Sequence, residues 1–94
     1  DLLTRETQAF SNNFRGILIS NLKPAMPLAR DPSRSAAFKV LKQTQTPSVL
    51  LELGYISNAK DAELLRSTAW QRQVATAIAA SIDAYFAKRL AGNR

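Results

Sequence analysis

An apolar run at residues 48–53, SVLLEL, most restricts how this 94-residue chain can fold. Pro47 precedes the run and Gly54 follows it, as expected of a strand buried on both faces in a parallel sheet. The sequence indicates one other short strand, an edge strand at residues 36–42, although a turn of helix also fits that stretch. Because a two-stranded sheet is not stable alone, we expect the remaining strands upstream of Asp1.

A helix is predicted before this run. Residues 2–22 carry apolar side chains at intervals of three, four and seven, which is the period of an amphipathic helix, and Pro24 ends the pattern. A proline-rich loop is expected at residues 23–35. The predicted fold class is α/β, with a mixed, mainly parallel sheet flanked by helices.

A short helix is predicted directly after the run. Ser57 or Asn58 can cap its N-terminus, because short polar side chains accept hydrogen bonds from the free N–H groups of a first turn. Asp61 and Glu63 follow in that turn, where the helix dipole favours negative charge.

A long amphipathic helix is predicted for the rest of the chain. Ser67 or Thr68 can cap it, and Lys88, Arg89 and Gly92 are typical of a C-terminus. Aromatic residues in the two long helices fall at helical spacing, which favours a place in the core over a sugar-stacking surface. They are Phe10, Phe14, Trp70, Tyr85 and Phe86.

The chain is basic, with 13 Lys and Arg against 7 Asp and Glu and a net charge of +6. Such a charge suits an anionic partner, for example nucleic acid, a membrane surface or a wall polymer. The positive residues are spread along the sequence without a tract, which favours a solvated surface over nucleic-acid binding. No stretch has the roughly 18 consecutive apolar residues of a membrane span.

The sequence contains neither Cys nor His. Disulfides and thiol-ligated metals are therefore excluded from this chain. The commonest metal ligand and the commonest general base are missing together. A functional site within these residues has to use carboxylate, hydroxyl, amide or cationic side chains.

Glu52 is the acidic residue that most needs an explanation. It lies at or near the C-terminal end of the predicted strand, at the sheet edge where open α/β proteins bind ligands, and no cationic residue lies between Lys42 and Lys60. A carboxylate in apolar surroundings is costly to ionise unless a metal or a distant Arg compensates it. Such a group suits acid–base chemistry. The alternative is a carboxylate that lies in water or caps backbone N–H groups.

The sequence around Glu52 follows a specific pattern. An aromatic residue and a VLK triplet precede a polar connector, Pro, an apolar stretch ending in Glu, then Gly, an aromatic residue, Ser-Asn and a helix with paired Leu. The matching residues are Phe38, Val40, Leu41, Lys42, Pro47, Val49, Leu50, Leu51, Glu52, Gly54, Tyr55, Ile56, Ser57, Asn58, Leu64 and Leu65. With this pattern, residues 36–86 closely resemble the C-terminal portion of the zinc-dependent N-acetylmuramoyl-L-alanine amidases, the amidase 3 family of cell-wall hydrolases.

The resemblance implies a zinc-exopeptidase-like α/β fold in which residues 1–94 are the C-terminal part of a single amidase catalytic domain. It implies that Glu52 is the catalytic general base, which takes a proton from a zinc-bound water. Zinc lowers the pKa of such a water toward about 7. In the family two His and one Glu bind the zinc, so these ligands are expected upstream of this chain. The chain alone is therefore expected to be inactive.

Substrate and partners follow from the same resemblance. The implied substrate is peptidoglycan, cleaved between N-acetylmuramic acid and L-alanine in the periplasm or elsewhere outside the cytoplasm, during cell-wall degradation and cell division. The implied partners are the remainder of the amidase domain and, for some members, an activator protein that displaces an inhibitory helix. Two alternatives remain open: a non-catalytic basic binding module, and a degenerate amidase-like structural partner.

Overall fold

The computed structural model describes residues 2–25 and 46–92 of the chain. The regular structure in these two stretches consists of three α-helices, which we call α1 (Leu2–Leu22), α2 (Ala59–Arg66) and α3 (Thr68–Gly92). The two long helices α1 and α3 pack against each other, and α2 packs against α3. All three helices were predicted from the sequence, and their existence and order are confirmed.

The predicted α/β fold is wrong for the described residues, which contain helices and no strand. The run at residues 48–53 is irregular chain, neither helix nor strand. A strand exists through hydrogen bonds to a neighbouring strand, whereas this run lies against helices: the backbone N–H of Ser48 donates to Ser11 Oγ of α1 at 2.9 Å. The edge strand predicted at residues 36–42 lies outside the described residues.

Local capping explains where α2 and α3 begin. Asn58 has an extended backbone, and its side-chain oxygen accepts a hydrogen bond of 3.0 Å from Asp61 N, which caps α2. Ser67 separates α2 from α3: its N–H donates to Leu64 O at 2.9 Å, and its hydroxyl accepts from Trp70 N at 3.2 Å. These bonds satisfy donors that a helix terminus leaves unpaired, and they confirm Asn58 and Ser67 as caps.

The core lies where α1, α3 and the irregular run meet. Its buried centre consists of Leu18 and Leu22 from α1 and Trp70 and Val74 from α3. Partly buried apolar side chains surround this centre, including Val49, Leu51 and Leu53 from the run and Leu64 and Leu65 from α2. Farther along the two helices, the rings of Phe14 and Tyr85 pack edge to face, with their centres 5.4 Å apart. The core is therefore a helix pair that the run and α2 cover on one side.

Helix α3 has a second apolar stripe that α1 does not cover. Ile82, Phe86 and Leu90 recur every four residues and are 42%, 57% and 66% exposed. The prediction that Phe86 belongs to the core is therefore wrong, whereas Trp70 and Tyr85 are buried as predicted. Periodicity shows that a side of a helix is apolar, and it cannot show which of two apolar sides meets a neighbour.

None of the three described helices has the length and apolar character that crossing a membrane requires.

Candidate functional site

Glu52 lies on the exposed side of the irregular run. Burial alternates along this run: Val49, Leu51 and Leu53 are half-buried against the helical core, whereas Leu50 and Glu52 between them are exposed. The alternation has the two-residue period of an extended chain with one covered face. The prediction that the run is buried on both faces, with its carboxylate in apolar surroundings, is therefore wrong. Within the described part of the chain, no hydrogen bond or ion pair engages the Glu52 carboxylate.

Large apolar side chains accompany Glu52 on the surface of this segment. Leu50 is 45% exposed, Tyr55 60% and Ile56 86%. Single exposed apolar residues are ordinary on a protein surface, but several in one short segment beside an unpaired carboxylate are typical of a surface that meets a partner.

The loop that follows Glu52 is closed by the first turn of α2. The backbone N–H of Tyr55 donates to Asp61 Oδ2 at 3.1 Å, and the N–H of Asn58 donates to Tyr55 O at 3.0 Å. Gly54 has a φ of +150°, a conformation that side-chain-bearing residues rarely adopt. The sequence singled out Gly54 as the end of the apolar run and Asp61 for the helix dipole, but it did not indicate that the two residues lie against each other. The Asn58-x-x-Asp61 spacing, which resembles a capping box, indicates the helix cap at Asn58 and not the contact with Gly54.

The described residues contain no group of three or more His, Cys, Asp or Glu that could bind a metal ion. Within these residues Glu52 therefore belongs to no cluster of metal ligands. The donor set here does not fit a zinc ion, because structural and catalytic zinc sites need at least three protein ligands.

An open groove lies along α1, away from Glu52. It is lined by Asn12, Asn13, Gly16, Ile17, Ser20, Asn21 and Ala84. Its polar groups are amides and one hydroxyl, so it contains no acid, base or nucleophile of the activated kind that catalysis needs. The candidate site is therefore the segment around Glu52 and not this groove.

Comparison with known proteins supplies the context that the geometry lacks. Residues 2–84 match the family described as N-acetylmuramoyl-L-alanine amidase, Amidase_3. The chain is 37% identical to the N-acetylmuramoyl-L-alanine amidase AmiA of Salmonella typhimurium (strain LT2) and 35% identical to AmiA of Escherichia coli (strain K12). Each of these two alignments spans 86 residues, which are 92% of this chain and 30% of the relative. The chain is 34% identical to the amidase AmiC of Escherichia coli O6:H1 over 93% of the chain and 21% of that protein. The chain thus spans less than a third of the length of these relatives.

Proposed function

Because the chain belongs to the N-acetylmuramoyl-L-alanine amidase family, we propose that it is the C-terminal part of the catalytic domain of a peptidoglycan hydrolase. The bond cleaved is the amide between N-acetylmuramic acid and the L-alanine of the stem peptide. Since peptidoglycan lies outside the cytoplasmic membrane, the proposed place of action is the periplasm or another extracytoplasmic compartment. The observation that carries the proposal is the family match, which includes Glu52 and all of α1 and α2.

We propose that Glu52 is the general base of this reaction. Its carboxylate is exposed, and the half-buried residues Leu51 and Leu53 hold its backbone against the core. A carboxylate that is free of other partners in the described chain can accept a proton from the attacking water and can return it to the departing amine. The exposed carboxylate and the anchored backbone together support this role.

The zinc ion that the family resemblance implies has no ligand set among the described residues, and the chain has no His. We propose that the ligands lie in the remainder of the amidase domain and that this remainder covers the surface of residues 50–56. The exposed Leu50, Tyr55 and Ile56 support such an association, because it would remove their apolar surface from water.

A chimera tests the proposal. This chain replaces the matching 86 residues of E. coli AmiA, and release of stem peptide from purified peptidoglycan is measured together with zinc content. We expect the chimera to be active and Glu52→Gln to lower turnover by about 100- to 10,000-fold, the usual contribution of a general base, with zinc content unchanged. Glu63→Gln is the matched control and should keep full turnover. It neutralises a different exposed carboxylate, which lies on α2.

Two results would count against this function. Undiminished turnover of Glu52→Gln would remove Glu52 from the mechanism. A folded, zinc-loaded chimera without activity would favour the alternative of a degenerate structural partner. The isolated chain, assayed with added zinc, should release no peptide, and zinc-dependent release would show that these residues suffice for catalysis.

A further inference from the structure

Asp61 fixes the backbone that directly follows Glu52. Its Oδ2 accepts a hydrogen bond of 3.1 Å from the N–H of Tyr55, three residues beyond Glu52. Asp61 is itself fixed, because its own N–H donates to Asn58 Oδ1 at 3.0 Å in the first turn of α2. The carboxylate therefore connects a helix terminus to the loop that leaves the candidate site.

Gly54 fits closely against the same side chain. A Cβ placed on Gly54 would lie 3.2 Å from both Cβ and Cγ of Asp61, which is tighter than ordinary van der Waals contact. The positive φ of Gly54 excludes most other residues as well. The loop thus passes close to Asp61 in a conformation that would strain a residue with a side chain, and the Tyr55 N–H donates to the Asp61 carboxylate.

The backbone of Glu52 is consequently restrained from both directions. On the N-terminal side Leu51 packs against the helical core, and on the C-terminal side Leu53 does the same. Farther along, the backbone N–H of Tyr55 donates to Asp61 Oδ2. Loss of the Asp61 bond would loosen residues 54–57 and leave, as restraints on that side, the packing of Leu53 and the hydrogen bond from Asn58 N–H to Tyr55 O.

From this geometry we propose that Asp61 is a positioning residue for Glu52, acting through Gly54 and Tyr55. This inference rests on the proposed role of Glu52 as general base. In this proposal the Asp61 carboxylate acts on the direction of the chain that presents Glu52 and not on a reacting group. Since catalytic groups lose activity when displaced by about 1 Å, a freed loop lowers the rate of the chemical step.

In the competing explanation, the negative charge of Asp61 stabilises the N-terminus of α2 through the helix dipole and has no effect on Glu52. Two substitutions separate the explanations in the AmiA chimera described above. Asp61→Asn retains an oxygen acceptor at the same position and loses the charge. Asp61→Glu retains the charge and moves the carboxylate by one methylene group. Positioning predicts that Asp61→Asn keeps near wild-type kcat, whereas Asp61→Glu and Asp61→Ala lower kcat about 10- to 100-fold, with KM and zinc content unchanged.

The reverse order, with Asp61→Glu active and Asp61→Asn impaired, overturns the proposal in favour of a charge effect. Equal kcat in all variants also overturns it. Glu52→Gln in the same chimera identifies the cause: if that variant is fully active, the proposed function has failed, and if it is inactive while the Asp61 variants are normal, only the positioning role has failed.

A second measurement uses this 94-residue chain by itself and not the AmiA chimera. Amide hydrogen exchange at Tyr55 and backbone order parameters at Glu52 and Leu53 are compared in the three variants. Exchange should be about tenfold faster in Asp61→Glu and Asp61→Ala and unchanged in Asp61→Asn, because one hydrogen bond of about 1.4 kcal/mol corresponds to a factor of ten. Unchanged exchange and order in Asp61→Glu overturns the proposal independently of activity.

Discussion

Asn21 of α1 and Ser81 of α3 are joined by a hydrogen bond of 3.0 Å from Nδ2 to Oγ. Ser81 is fully buried, at 0% exposure, and donates its own proton to Ala77 O at 2.7 Å. Its oxygen keeps lone pairs for the Asn21 amide, so one hydroxyl serves as donor and acceptor at once. Apolar packing between helices tolerates sliding, whereas a directional bond does not, and this pair therefore fixes how α1 and α3 are aligned.

Substitution of either partner should destabilise the chain. Ser81→Ala leaves the half-buried amide of Asn21 without its acceptor, and we expect a loss of about 1 kcal/mol in the free energy of unfolding. Asn21→Ala should cost a similar amount. Urea unfolding of both single variants and the double variant gives the coupling energy, which should be about 0.5–1.5 kcal/mol. Ser20→Ala, at an exposed site one residue away, is the control and should change stability by less than about 0.5 kcal/mol. A coupling energy near zero would contradict the importance of this bond.

The glycines at 16 and 54 should respond to alanine in opposite directions. Gly16 lies inside α1, and apart from its chain neighbours and the backbone of the helix itself, nothing in the described chain lies within 4 Å of a Cβ placed there. Gly16→Ala should therefore stabilise the helix by about 0.5–1 kcal/mol. Gly54 has a positive φ and a close contact with Asp61, so Gly54→Ala should destabilise by more than about 1 kcal/mol.

Thermal unfolding followed by circular dichroism compares these two variants, which carry the same added methyl group. Equal effects would show that the conformation of Gly54 is not required in solution. A destabilising Gly16→Ala would reveal that something packs against α1 at that position, in keeping with its place in the open groove.

The helices were predictable because their signals are local. The starts of α2 and α3 follow from Asn58 and Ser67, whose side-chain oxygens accept hydrogen bonds from N–H groups three residues ahead. The conformation of residues 48–53 was not predictable in the same way, since a strand forms only with a partner strand that can be distant in sequence. Residues 48–53 also look buried on both faces because Leu50, which is exposed, is apolar. Glu52 was the residue in that run that marked the exposed face correctly.

The candidate site was only partly visible in the sequence. Glu52 was selected by its chemistry and by the family pattern, and its position in an exposed segment is a structural finding. The contact between Gly54 and Asp61 depends on how the loop turns back onto α2, which no spacing rule specifies. Ligands for the proposed zinc ion could not be identified in this sequence, because a ligand set is assembled from distant parts of a fold and the chain lacks His.

Trp70 should anchor the end of α1. Its indole Nε1 donates to Ala25 O at 3.0 Å, and the side chain is 6% exposed. Trp70→Phe removes this bond and part of the buried ring, so we expect a loss of about 1–3 kcal/mol in the free energy of unfolding. Urea unfolding followed by circular dichroism measures it, because Trp70 is the chain's one Trp and its fluorescence is lost. An unchanged stability would contradict the anchoring role.

Arg89 should stabilise the pair of long helices through an aromatic face and not through its charge alone. Its guanidinium carbon lies 3.8 Å from the centre of the Phe10 ring, and Nη1 donates to the Tyr85 hydroxyl at 3.0 Å. Because a guanidinium stacks on a ring and an ammonium does so less well, Arg89→Lys should cost about 0.5–1 kcal/mol. The same substitution should cost much less once Phe10 has been replaced by Leu, since the ring face is then gone. Lys88→Ala is the control: this neighbour is exposed and has a single long bond of 3.4 Å to Asn13, so stability should change by less than about 0.5 kcal/mol. If Arg89→Lys is harmless in the presence of Phe10, positive charge is all that the position requires.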